Sequence, residues 1–122
     1  MPAPQFVHLR VRSEYSISDS IVRIDDLVTA AAQDGQAALA IADAANVFGW
    51  IKFYRAARER GIKPILGASL WLTNDAERDR PFEMLVLVRS RVGYRNLCEL
   101  LSRAWLDNAS RGHAEVRREW FQ

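Results

Sequence analysis

The sequence predicts an α/β protein whose largely parallel strands alternate with helices. Three observations predict it. Apolar runs of strand length alternate with segments of helical period. Two of those runs, residues 38–42 (ALAIA) and 82–88 (FEMLVLV), are apolar nearly throughout, as strands covered on both faces are. The order strand, helix, strand, helix, strand, strand, helix belongs to sheets whose strands are covered by crossover helices.

Each element has its own local signal. Residues 6–12, FVHLRVR, alternate with period 2, placing Val7, Leu9 and Val11 on one face of a predicted strand and His8, Arg10 and Arg12 on the other. The segment SEYSISDS then turns the chain. Ile24, Leu27, Val28 and Ala31 recur at helical spacing, with Asp25 and Asp26 in the first turn and Gly35 as the stop, so a helix of about ten residues is predicted. After the strand at 38–42, Asn46 suits the N-cap of a helix over 47–60 that turns Val47, Ile51 and Tyr54 inward and ends at Gly61, with Arg55, Arg58 and Arg60 complementing its dipole. Residues 62–72 form a strand in which Gly67 marks a bulge or close packing. A charged loop, TNDAERDRP, leads to the buried strand at 82–88. Ser90 then opens a helix with Tyr94, Leu97, Leu101, Ala104 and Trp105 on one face. Beyond Leu106 the chain reads as polar and irregular as far as Glu119-Trp120-Phe121.

Composition bounds the function. At 122 residues with 49% apolar and 26% charged content, the chain supports one small packed domain and excludes a disordered tail. Membrane-spanning helices are excluded because no apolar run approaches roughly 18 residues. Met1 to Gln5, MPAPQ, shows neither the basic nor the apolar region of a secretory signal, and a cytoplasmic protein is expected. Cys98 has no partner for an internal disulfide and reads as a small apolar core residue. The net charge of +2, with its excess beyond Lys63, permits nucleic acid nearby without predicting a binding footprint. Four strands and three helices amount to half a barrel or a small open sheet, so a fragment is expected.

Chemical motifs are sparse. Gly-rich phosphate loop, CxxC, HExxH and nucleophile elbow are all missing, and with two histidines and one cysteine a zinc site would have to be mostly carboxylate. In parallel α/β folds functional groups gather where strands end, which selects Arg10, Arg12 and Asp19 after the first strand, Asp43 after the second and Ser69 on the third. Cations facing a barrel interior require partners, and an ion-pair cluster of Arg10 and Arg12 with Asp19 and Asp43 is the plainest reading. Arginine forks suit phosphate as well, and a metal site is the third alternative. Trp50, Trp71, Trp105 and Trp120 are expected to anchor core or interfaces, and His113 to lie exposed.

Three stretches, FVHLRVRSEYSISDS, ALAIADAANVFGWIKFYRAARERGIKPILGASLWL and LVRSRVGYRNLCELLSRA, resemble in order and spacing the beginning of bacterial replicative DNA polymerase III alpha subunits. The resemblance falls within the polymerase and histidinol phosphatase (PHP) domain. It implies the first portion of a distorted (β/α)7 PHP-type barrel, with residues 1–106 as the domain's N-terminal part and 107–122 as the start of its continuing segment. Active members of the wider family hydrolyse phosphoesters with metal ions held by His, Asp and Glu. By the resemblance, the paired histidines of the first motif fall on Arg10 and Arg12, the histidine after the aspartate of the second motif on Ala44, and the glutamate after the third strand on Ser69. Asp19 and Asp43 remain.

Arginine stays protonated and has no lone pair for a metal, alanine has no donor, and serine is a poor substitute for a carboxylate. Two fixed positive charges would also repel a divalent ion. The resemblance therefore implies a degenerate metal site in which guanidinium groups replace metal charge, in a structural and interaction module of DNA replication with no cofactor of its own. Its implied partners are the rest of the alpha subunit, the proofreading exonuclease (epsilon) subunit and, through the holoenzyme, DNA, with Mg expected only for the polymerase domain. The competing expectation is a metal-dependent phosphoesterase using Asp19, Asp43 and His8.

Overall fold

The computed structural model describes residues 6–121; Met1 to Gln5, on which the signal-peptide reading rests, and Gln122 lie outside the described residues. In chain order the elements are α1 (Ile24–Gln33), β1 (Ala38–Ala44), α2 (Trp50–Glu59), β2 (Lys63–Leu72), β3 (Phe82–Leu87), α3 (Arg91–Asp107), β4 (Ala109–Ser110), β5 (His113–Val116) and a 3-10 turn (Arg118–Phe121).

β2 is the hub of an open sheet. β1 pairs with it in parallel from Ala38↔Lys63 to Ala44↔Ser69, and β5 takes over at Trp71 and Leu72, also in parallel. β3 runs antiparallel along the other edge, from Gly67↔Leu87 to Leu72↔Phe82. This corrects the expectation of a buried strand at 82–88, and its direction departs from the largely parallel pattern. The connection 73–81 is shorter than the dozen or so residues a parallel crossover needs, so the chain turns back as a hairpin. β3 is accordingly an edge strand, exposed at Phe82 and Glu83 and half-buried beyond. Gly67 lets it approach: a Cβ there would stand 2.6 Å from the Val86 carbonyl oxygen.

Residues 6–12 follow β1 without forming a strand. The Ala40 and Ala42 amides, two residues apart, donate to the His8 and Val11 carbonyls, three apart, so one residue is extra, and only Val11 bridges Ile41. The bulge breaks the period-2 alternation and leaves Leu9 exposed rather than packed beside Val11.

The helices pack Ile24, Val28, Phe53 and Leu97 against Leu39, Ile41 and Leu70. α1 spans the predicted residues, with Gly35 at φ +73°. α2 begins later than expected. Asn46 does not cap it; its side-chain amide donates to the Tyr15 and Ala44 carbonyls, and Gly49 is the cap. The inward face is Trp50, Phe53, Ala56 and Ala57, while Ile51 and Tyr54 face solvent. α3 opens as read, with the Ser90 hydroxyl accepting from the Gly93 amide at 3.2 Å. Leu97, Leu101 and Ala104 are buried, and Tyr94 and Trp105 lie half-exposed at the rim of that face.

The segment after Leu106 is ordered, not irregular. Arg111 and Gly112, both at positive φ, make a two-residue hairpin between Ser110 and His113 that delivers β5 to the sheet with Ala114, Glu115 and Val116 buried.

Candidate functional site

The C-terminal ends of β1 and β2 lie side by side, with Asp43 opposite Ala68 and Ala44 opposite Ser69. Register partners in a parallel pair share a face and successive residues alternate, so Asp43 leaves one face of the sheet and Ala44 and Ser69 leave the other. Asp43 is 1% exposed. Its Oδ1 accepts from the Ser13 amide at 2.6 Å and the Ser16 hydroxyl at 2.7 Å, and its Oδ2 from the Ser13 hydroxyl at 2.7 Å. Both serines are themselves buried and used again, Ser13 Oγ accepting from the Tyr15 amide and Ser16 Oγ from the Ala44 amide. A buried carboxylate is tolerable only when satisfied in this way, and each charge-assisted bond contributes roughly 1.5–3 kcal/mol. The SEYSISDS turn is folded over the end of β1 by this network. A second tie is Lys52 on α2, which donates to Glu14 at 3.2 Å; that hydrogen bond, and then the Glu14 charge, raises the Lys52 pKa above its usual 10.5.

The arginines serve a different carboxylate. Arg12 pairs with Asp19 at 3.0 Å, and Arg10 and Arg12 both pair with Glu83 on β3. Neither reaches Asp43, which corrects the expected cluster of Arg10 and Arg12 with both aspartates: the Asp43 oxygens are already filled by Ser13 and Ser16, and Glu83 takes the place assigned to it. The Arg12 side chain is 23% exposed and that of Arg10 45%, so solvent screens the pairs. Replacing both by alanine is expected to cost about 1 kcal/mol, a fall of roughly 3–4 °C in melting temperature with Arg12 carrying most of it. In 0.5 M salt the difference should shrink, as screened pairs require. Thermal melts followed by circular dichroism check both, and a melting temperature unchanged at low salt contradicts the pairing.

Ser69 is buried and its hydroxyl donates to the Ala42 carbonyl at 3.1 Å. Ala44 borders an open cleft of about 490 Å³ at the strand ends, together with Ser16, Asp19, Trp71, Trp105 and His113. His113 is exposed and packs edge-on against Trp71. Among the described residues no group of three His, Cys, Asp or Glu side chains converges as a metal site would need. The residues present do not fit a metal cluster: Arg10 and Arg12 are cations, Ala44 has no donor, Ser69 is engaged with the backbone, and both Asp43 oxygens are occupied.

Sequence reasoning missed Glu83, Ser13 and Ser16. Glu83 had a signal, as the single charge inside the apolar run 82–88. The serines had none beyond their place in a turn, because only the crossing of residues 13–16 over β1 brings them to Asp43.

A family model for the PHP domain matches residues 8–122. The chain is 46% identical over 98% of its length to the DNA polymerase III subunit alpha of Pseudomonas fluorescens and 40% identical over 99% to that of Escherichia coli K12. It spans about a tenth of the length of these curated relatives, 10% of each. Among solved structures, an amidohydrolase from Chromobacterium violaceum matches with a TM-score of 0.62 at 20% identity, over 80% of this chain and 32% of the other. A metal-dependent phosphoesterase from Bifidobacterium adolescentis matches with a TM-score of 0.62 at 21% identity, over 84% and 34%. At such identities these likenesses establish the fold, a barrel-type α/β sheet left open here. The chain belongs to the PHP domain family, and its sequence relatives within that family are DNA polymerase III alpha subunits.

Proposed function

We propose that this chain is a catalytically silent part of a replicative polymerase, a structural and interaction module whose degenerate metal-site positions Arg10, Arg12, Asp19, Asp43, Ala44 and Ser69 hold the fold together. The observation that carries the reading is the network itself: the carboxylates at the metal-site positions are tied instead by Ser13 and Ser16 on Asp43 and by Arg12 on Asp19, with Glu83 holding Arg10 and Arg12. In the relatives the corresponding segment is a tenth of a DNA polymerase subunit, which supports a role in chromosomal replication, in the cytoplasm, with the rest of the alpha subunit and its proofreading exonuclease subunit as partners. No helix of the described residues is long and apolar enough to cross a membrane, in keeping with that setting. The chain contributes fixed geometry and needs no cofactor of its own; any Mg belongs to the polymerase domain of the larger subunit.

The test is hydrolysis of a chromogenic phosphodiester by the chain with Mn²⁺ or Zn²⁺ added. The expected result is no turnover above that of the free ions. Metal-dependent turnover that is lost in Asp19→Asn overturns the proposal in favour of a phosphoesterase.

A further inference from the structure

The end of the sheet opposite Asp43 carries charges that no contact within the described residues explains. Lys63, the first residue of β2, and Arg89 and Arg91, which flank the Ser90 cap of α3, line one groove of about 600 Å³. All three are exposed, none is in an ion pair among the described residues, and the groove lining includes no Asp or Glu. Its floor is apolar, from Ile65 and Val88, and one wall is the half-exposed ring of Tyr94, which packs against the buried Trp50 at 5.5 Å between ring centroids. Like charges on one groove without counter-charge raise its positive potential and attract anions to it.

We infer that this groove binds single-stranded nucleic acid, with Lys63, Arg89 and Arg91 on successive phosphates and Tyr94 under a base. Charge complementarity selects a polyanion, and the aromatic wall over an apolar floor selects one that offers flat, unpaired bases. A duplex keeps its bases stacked away from such a wall. The inference goes beyond the proposed function and does not depend on the metal-site reading, since the groove shares no residue with that site.

The test is fluorescence anisotropy of a labelled oligothymidylate of about 12 nucleotides, within the usual range of single-strand site sizes. Binding by the 122-residue chain is expected at low salt with a dissociation constant on the order of 10⁻⁴ M or tighter, and log K should fall with log salt at a slope of about −2, as three phosphate contacts require. The triple variant Lys63→Ala, Arg89→Ala, Arg91→Ala should bind at least tenfold more weakly with an unchanged melting curve, and Tyr94→Leu several-fold more weakly at an unchanged salt slope. The slope is read on the unmodified chain and stands whether or not a variant folds. No binding at low salt, a triple variant that folds and binds as before, or displacement of the oligonucleotide equally well by duplex DNA or by poly-glutamate would each overturn the inference.

Discussion

Asp43→Ala is expected to lower the melting temperature by roughly 10 °C, corresponding to about 3 kcal/mol for a domain of this size. The substitution strands three donors at once, the Ser13 amide and the Ser13 and Ser16 hydroxyls, in a place where water does not reach. Their unmet desolvation outweighs the gain from no longer burying a charge, because removing one partner of a satisfied buried group costs more than the group itself contributes. Asp43→Asn should lose only about a third as much. Its carbonyl oxygen keeps both bonds made by Oδ1, and the Ser13 hydroxyl can turn to accept from the new amide. Thermal denaturation of the two variants measures the contrast. An alanine variant that melts within 3 °C of the parent would mean that Asp43 does not hold the turn.

The second large effect lies on α2 and separates the two faces that its sequence allows. Phe53 is fully buried, whereas Ile51 is 71% exposed. Phe53→Ala should cost about 3–5 kcal/mol, a large part of the 5–15 kcal/mol available to a domain, while Ile51→Ala should stay within about 0.5 kcal/mol. Denaturant unfolding of the pair reads this directly. The reverse order, with Ile51→Ala the costlier, would put the helix in the orientation that the 47–60 reading implied.

In α2 the spacing of apolar residues leaves two faces open. Val47, Ile51 and Tyr54 are spaced as a helical face, and so are Trp50, Phe53 and Ala57; packing against the sheet decides between them, with the Trp50 indole donating to the Gly67 carbonyl at 3.1 Å and Phe53 fully buried. α1, β1 and β2 were legible because their signals are local: Asp25 and Asp26 ahead of Gly35, and two apolar runs bounded by breakers. β5 was not, since a four-residue strand joined through Arg111-Gly112 carries neither length nor a familiar hairpin dipeptide. Within the site, the residue types at Arg10, Arg12, Ala44 and Ser69 were readable one by one. Their partners were not, because Glu83 comes from a strand whose antiparallel direction places it beside residues 10–12, and Ser13 and Ser16 arrive only when the turn folds over β1.

On the proposed reading, hydrogen bonds and ion pairs stand at these strand ends in place of a metal cluster. Elemental analysis of the chain purified without chelator tests it most directly. Zinc, manganese and iron well below one equivalent, unchanged after dialysis against Zn²⁺ or Mn²⁺ and desalting, is the predicted result. Two or more tightly retained ions per chain would contradict it.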